Sequence, residues 1–247
     1  MISIITPVLN EEDYVKPFLD HLNEVRGDFE LILVDGGSKD GTLKEVEDCR
    51  NEFNRKLILL RASRGRATQM NKGAGESHGD ILLFLHVDCF IQEDSLELIE
   101  KEIYGNGAIG GGFRQCFYDA DLFLKFNSAF GNMRAKLTRT FYGDYGIFIR
   151  KDIFERIGCY DNIPFLEDVE LCRKSRRHGT LVQIDRFILT SPRRYLSTGK
   201  IRLTLVFILA CLFNTVGFRP RFLLRFFIDK SKRNTHYQQV DKAAEQP

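Results

Sequence analysis

The stretch Val34–Thr42, VDGGSKDGT, ends a hydrophobic run in two acids, two hydroxyl residues and three glycines within nine positions. Just before it, Phe29 to Val34 (FELILV) has the content of a buried strand, and after it Thr42, Val46, Cys49 and Phe53 recur at helical spacing. A strand that passes through such a turn into a helix is the unit of an open α/β sheet, and ligands settle at the carboxyl edge of such sheets. Gly36, Gly37 and Gly41 let the backbone approach a ligand closely, and the Asp35 carboxylate can accept from a base or a ribose. The same residues also suit a plain turn in which Ser38 or Asp40 caps the next helix. Neighbouring motifs have to decide between the two.

Outward from this stretch the pattern repeats. Ile2 to Val8 reads as a strand, Tyr14, Phe18, Leu22 and Val25 as a helical stripe, Leu57 to Leu60 as a third strand and Arg66 to Ser77 as a third helix. Ile81 to Leu85 is a fourth strand and Asp94 to Tyr104 a further helix. Strands alternating with helices predict right-handed βαβ units, hence an α/β fold with a mostly parallel central sheet flanked by helices. The chain of 247 residues, 43% hydrophobic and 28% charged, suffices for one large α/β domain or for a domain with an appendage. No GxGxxG follows the first strand, which argues against a dinucleotide-dependent dehydrogenase. The later glycine run, Gly107 to Gly112, reads as a bend or an open wall of a cleft, with FRQCF after it as strand.

Six scattered cysteines without a CxxC pair suggest neither a zinc site nor a disulfide framework, and reduced thiols in the cytoplasm are the expectation. Met1 runs into ISIITPVL with no basic leader, so no secretory signal is expected. The net charge of +2 is unevenly spread: from Arg193 to Arg233 the only acid is Asp229, and the basic residues flank the apolar segments Leu203 to Phe218 and Phe222 to Ile228. Those segments fall short of the roughly 20 apolar residues of a spanning helix. A basic, apolar helix lying on an anionic membrane suits them; a core helix packed on the main domain is the competing reading. Stacking aromatics are not interleaved with the charges, so nucleic acid is not the expected partner.

Two further motifs carry polar chemistry. In LHVD, Leu85 to Asp88, residues two apart on an extended segment share a face, so His86 and Asp88 can point together at a ligand, and imidazole plus carboxylate is a plausible donor set for a divalent cation on a diphosphate. In PFLEDVELCRK, Glu167 and Asp168 open a helix whose macrodipole already favours acids. Gly143 to Gly146 (GDYG) lies upstream, and a carboxylate at a pocket edge can take a proton from an attacking hydroxyl.

Taken in order, these motifs resemble those of the family 2 glycosyltransferases, enzymes of GT-A fold, and in detail a bacterial subgroup with LHAD, GDxG, PxxED and SxRRW-like segments. Here they stand as LHVD, GDYG, PFLED (Pro164 to Asp168) and SPRRY (Ser191 to Tyr195). The resemblance covers Ile2 to about His178 and implies roles. Pro7, Glu11, Asp35, Ser38 and Asp40 would line the nucleotide; Asp88, with His86 where an acid is usual, would hold Mg²⁺ or Mn²⁺; Asp168, with Glu167 beside it, would be the catalytic base. Arg193 and Arg194 would lie near the diphosphate, and Arg64 or Arg66 would reach the phosphates in place of the family's arginine, which is absent where Gln69 and Met70 precede Asn71. Tyr195 and Tyr145 depart from the Trp and Gln of related members.

The resemblance thus implies transfer of a sugar from a UDP- or GDP-sugar to an acceptor hydroxyl, with inversion. Residues 1–199 would form the catalytic domain, with a nucleotide half to about 105 and an acceptor half after it. Residues 200–233 would be a basic, apolar helical tail ending in amphipathic helices, and 234–247 a frayed end. The expected setting is the cytoplasm, with the tail on the inner face of the membrane and a lipid-linked acceptor. A nucleotide-binding scaffold without activity and a sugar-phosphate nucleotidyltransferase are the competing functions.

Overall fold

The computed structural model describes residues 1–163 and 165–215. The first half alternates as expected: β1 (Ile2–Val8), α1 (Glu12–Glu24), β2 (Phe29–Asp35), α2 (Thr42–Cys49), β3 (Lys56–Arg61), α3 (Arg66–Gly75) and β4 (Ile81–Phe84). A two-residue β5 (Cys89–Phe90) and α4 (Ser95–Glu100), extended by a π-turn over Lys101–Gly105, complete it. The second half comprises β6 (Gly110–Phe117), α5 (Leu122–Thr138), a 3-10 turn at Gly143–Tyr145, β7 (Ile147–Arg150) and α6 (Lys151–Arg156). It ends with α7 (Glu167–Ser175), β8 (Leu181–Thr190), α8 (Arg193–Thr198) and α9 (Lys200–Thr215).

The strands form one sheet in the order β3-β2-β1-β4-β7-β6-β8-β5. From β3 to β4 every pairing is parallel. Beyond β4 the sheet is mixed: β7 runs against both β4 and β6, β8 lies parallel to β6, and β5 pairs antiparallel with β8. One reversed strand between two that agree leaves β6 and β8 pointing the same way as β1 to β4. The chain therefore leaves β1, β2, β4 and β8 at one edge of the sheet, and enters β7 there as well.

Strand side chains alternate between two cores. Ile2, Ile4, Leu31 and Leu33 face the layer of α1, α2 and α4, where Phe18, Leu22, Val46 and Ile99 are buried. Ile5, Ile32, Val34 and Leu82 face α3, α6 and α7, meeting Met70, Phe154 and Leu171. All seven residues of β2 are buried, as a strand covered on both faces requires. Each fully buried Leu, Ile or Phe contributes about 1.5–3 kcal/mol.

Gly107, at φ +71°, does bend the chain, but the rest of the glycine run is neither a bend nor an open wall. Gly110–Gly112 begin β6 in the middle of the sheet, where a Cβ on Gly111 would lie 2.0 Å from the Val182 carbonyl oxygen and one on Gly110 would lie 2.5 Å from that of Phe148. Close strand approach, rather than turning, is what these glycines supply. The described cysteines form no disulfide. Among the described residues no helix is long and apolar enough to cross a membrane. Helix α9 packs one side on the domain, as the core-helix reading of the tail expected: Leu203, Val206 and Ala210 are buried there, while Ile201 and Leu205 are exposed. The rest of the expected tail, 216–233, and the end at 234–247 lie outside the described residues, as does Pro164 of the PFLED motif.

Candidate active site

The shared carboxyl edge gathers the motifs. Asp35 closes β2, buried at 2% exposure, with Oδ2 accepting from the Gly37 amide (3.0 Å) and Oδ1 from the Ser38 amide (3.0 Å). Gly37 takes φ +92° there, a value glycine reaches without strain. Ser38 Oγ accepts from the Asn10 amide at 2.8 Å, and Asp40 Oδ1 accepts from both the amide (3.1 Å) and the hydroxyl (2.5 Å) of Thr42. The Thr42 hydroxyl oxygen in turn accepts from the Glu11 amide at 2.7 Å. Ser38 and Asp40 thus clasp the loop after β1 to the loop after β2 and shape the walls around Asp35. Neither is the cap of α2, which starts after Gly41 with no side-chain cap. Pro7 lies in β1 opposite Val34, one residue from this edge.

The second cluster is built by β5 pairing with β8. Cys89 opposes Thr190, and the Ser191 amide donates to the Asp88 carbonyl at 3.2 Å, so the chain after β8 is tied to the LHVD segment. Two residues on, the Arg193 guanidinium grips Glu11 through Nη1 (2.6 Å) and Nη2 (2.9 Å), pairs with Asp88 Oδ2 through Nε at 2.9 Å and lies 4.3 Å from the centre of the Tyr14 ring. Glu11, Asp88 and Arg193 are each only 12–17% exposed, and such a pairing in a low-dielectric pocket is much stronger than one at the surface.

The third cluster surrounds the start of α7. This helix precedes β8 and runs back toward its beginning, so its N-terminus sits at the same edge. Asp168 Oδ2 accepts from the Gly143 amide at 2.7 Å and Oδ1 from the Val169 amide at 2.8 Å. Burial, then the neighbouring Glu167, push the Asp168 carboxyl up to about 7, against the pull of Arg66 and the two amides. Arg66, expected at the phosphates, is engaged with Glu167 at 2.8 Å. Leu166, ahead of the two acids, holds a left-handed φ of +60° while buried. Such backbone costs about 1–3 kcal/mol in a residue with a Cβ and gathers at functional positions.

Two partly buried groups link the clusters. His86 faces Gly143, where a Cβ would come 2.6 Å from its Nε2; burial and the charge of Arg66 lower its pKa to about 4, so the imidazole is neutral. Asp144 was legible only as part of the GDYG segment. Burial raises its carboxyl to about 6 against the pull of Arg194, and its carbonyl accepts from the Thr190 hydroxyl at 3.2 Å. That places Arg194 in the field of Asp144, and Arg193 on Asp88. The described residues contain no group of three or more His, Cys, Asp or Glu poised around one ion. Asp88 alone still fits a cation that takes its other ligands from substrate phosphates and water, the usual arrangement for Mg²⁺.

Comparison with known proteins places these features. The sequence profile of glycosyl transferase family 2 matches residues 3–158. Glycosyltransferase AglE of Haloferax volcanii is 26% identical over an alignment covering 89% of this chain and 82% of AglE. A mannosyltransferase of Pyrobaculum calidifontis, solved with GDP-Man and Mn²⁺, superposes with a TM-score of 0.69 at 20% identity. That superposition covers 83% of this chain and 61% of the mannosyltransferase. Staphylococcus aureus TarS 1-349, solved with UDP-GlcNAc, superposes with a TM-score of 0.61 at 16% identity, covering 83% of this chain and 66% of TarS 1-349. The chain thus spans less than two thirds of the length of these two structures, whose shared GT-A architecture it adopts.

Proposed function

This chain belongs to glycosyl transferase family 2, and on that premise we propose that it moves a hexosyl group from a UDP- or GDP-sugar to an acceptor hydroxyl, with inversion. The observation that carries the reading is the convergence of the Asp35 loop, Asp88 and Asp168 on one edge of the sheet. Asp35 and the amides it orders receive the base and ribose, with Pro7 and Glu11 on the adjoining wall. Arg193 and Arg194 supply charge to the diphosphate, the kind of fixed electrostatic stabilisation that lowers the barrier most. Asp88, with the neutral imidazole of His86 two residues before it, would hold Mg²⁺ or Mn²⁺, which supplies Lewis-acid neutralisation of the leaving group.

Asp168 accepts the proton of the acceptor hydroxyl. The acceptor oxygen bonds to the anomeric carbon on the face opposite the diphosphate, and the bond to the phosphate oxygen breaks with its electron pair on that oxygen. A carboxyl poised near 7 suits this task, since a base works best with a pKa near the working pH. Burial, and after it Glu167 held by Arg66, raise it to that value. The acceptor we infer is lipid-linked, with residues 200–233 in contact with the cytoplasmic face of a membrane.

Titration calorimetry of UDP, GDP and their hexose conjugates, with and without Mn²⁺, tests the donor site. Metal-dependent binding of one nucleotide, lost in Asp88→Ala, is the expected result. A folded protein that binds none of them refutes the assignment and favours a scaffold without activity.

A further inference from the structure

Helix α5 meets the protein through a mixed face, Leu124, Ser128, Asn132 and Ala135, and turns a larger apolar face to solvent. Its inward hydrogen bonds are made by Asn132, which accepts from the Gln115 amide and donates to the Gln115 carbonyl (2.8 Å each), and by Ser128, which donates to the Gln115 side chain at 2.9 Å. Its outward face carries Leu122, Phe126, Phe130, Met133 and Leu137, spaced four, four, three and four residues apart and 53–85% exposed. Residues at that spacing form one continuous stripe, and a surface helix of an isolated soluble domain has the opposite polarity. Exposed apolar patches of this kind mark interaction surfaces.

Helix α9 runs beside α5. Lys200 pairs with Asp121 at the start of both helices, and further along both Asn127 Nδ2 donates to Thr204 Oγ1 at 3.4 Å. It too has an exposed apolar edge, Ile201, Leu205, Ile208 and Leu209, each 44–67% exposed. Beyond Asp121 at their start, the charges carried by the two helices are of one sign. No acid occurs from Leu122 to Gly143 or from Arg193 to Thr215, while Lys125, Lys136, Arg139 and Arg202 are exposed there.

We propose that the outward faces of α5 and α9 form a docking surface for an anionic phospholipid bilayer, lying in the interface with the basic residues at the headgroups. Charge complementarity selects this occupant. A second copy in an isologous pair would set the same net basic surface against itself. The chain's own segment from Arg219 to Arg233 carries Arg219, Arg221, Arg225, Lys230, Lys232 and Arg233 against the single acid Asp229, so it repels the surface as well. Anionic lipid attracts all of these charges while its acyl boundary takes the apolar stripe.

The inference deepens the membrane reading of residues 200–233 and rests on it, not on the donor chemistry. It also gives the acceptor a route. The inner face of α9 packs Val206 and Ala210 on Phe165 and Leu166, directly ahead of Glu167 and Asp168, and Phe207 stacks on Tyr142 at 6.0 Å, next to the Gly143 amide that holds Asp168. The docking helix is thus one layer of side chains from the base.

Vesicle flotation of the full chain tests this, comparing phosphatidylglycerol–phosphatidylcholine vesicles with pure phosphatidylcholine. Salt-sensitive binding to the anionic vesicles is expected, weakened about tenfold or more in Phe126→Glu/Phe130→Glu, with nucleotide binding in solution unchanged. The chain has no tryptophan, so the milder Phe126→Trp gives a second reading that does not depend on the charged variant folding. Its emission should shift to the blue on anionic vesicles and be quenched by brominated acyl chains. Binding that survives the double substitution, an unshifted Trp spectrum, or a dimer dissolved by the double substitution overturns the proposal. The last of these outcomes would assign the face to a second copy. Nucleotide titration of the same samples separates this failure from a failure of the donor site.

Discussion

Arg193 lies between Glu11 and Asp88, its Nη atoms 2.6 and 2.9 Å from the Glu11 carboxylate and its Nε 2.9 Å from Asp88 Oδ2. One guanidinium from the exit of β8 therefore holds both the wall of the proposed nucleotide pocket and the carboxylate proposed to meet the metal. A cation arriving at Asp88 competes with it directly.

Replacing Arg193 by Gln should accordingly tighten Mn²⁺ binding in the absence of nucleotide, by roughly tenfold, or about 1.4 kcal/mol. UDP or GDP affinity should fall, because the same charge is lost to the diphosphate. Calorimetry reads both constants, and unchanged Mn²⁺ affinity would show that the ion does not bind at Asp88.

The Asp168 carboxyl sits at about 7 and must be ionised to act as base, so kcat/KM should climb as pH rises through that value. Glu167→Gln removes the negative neighbour and should move this limb to lower pH; Arg66→Met removes the positive one and should move it higher. Asp168→Asn should cost about 10²- to 10⁴-fold in kcat. A pH profile untouched by either neighbour would remove Asp168 from the base role.

At the opposite edge of the sheet, buried Glu30 accepts from the Ser3 hydroxyl (2.8 Å) and the His78 amide (2.6 Å), and pairs with Lys56 at 2.9 Å. These partners outweigh burial and hold its carboxyl down at about 2 from an ordinary 4.5. The unfolded chain binds the proton more readily, so the contribution is complete above 4.5 and is lost as pH falls toward 2. Glu30→Gln should lower stability at neutral pH by about 1–3 kcal/mol and flatten the acid limb of a Tm-against-pH curve over that window.

Gly111→Ala should be among the most damaging single changes. Its Cβ would lie 2.0 Å from the Val182 carbonyl oxygen, backbone that cannot step aside without breaking the β6 to β8 ladder. A loss of about 3 kcal/mol or more in denaturant unfolding is expected; a wild-type midpoint would mean that the strands can separate locally at little cost.

Local periodicity made the nucleotide half readable from residues alone. The strands β1 to β4 and the turn after β2 carry their signal within a dozen residues, because side-chain alternation and glycine-acid punctuation are local consequences of backbone geometry. The order of the LHVD, GDYG, PFLED and SPRRY segments was equally legible. Their assembly was not. Arg193 meets Glu11 across 182 positions only because the reversed β7 leaves β8 pointing with β1. The glycines of β6 looked like a bend because nothing in their own neighbourhood records that Val182 and Phe148 press on them. Helix α5 shows the limit most plainly. A hydrophobic stripe reports a contrast between two faces, but which face turns inward is decided by the partner. Here that partner is the Gln115 segment of β6, whose polar groups draw Asn132 and Ser128 inward and leave Phe126 and Phe130 outside.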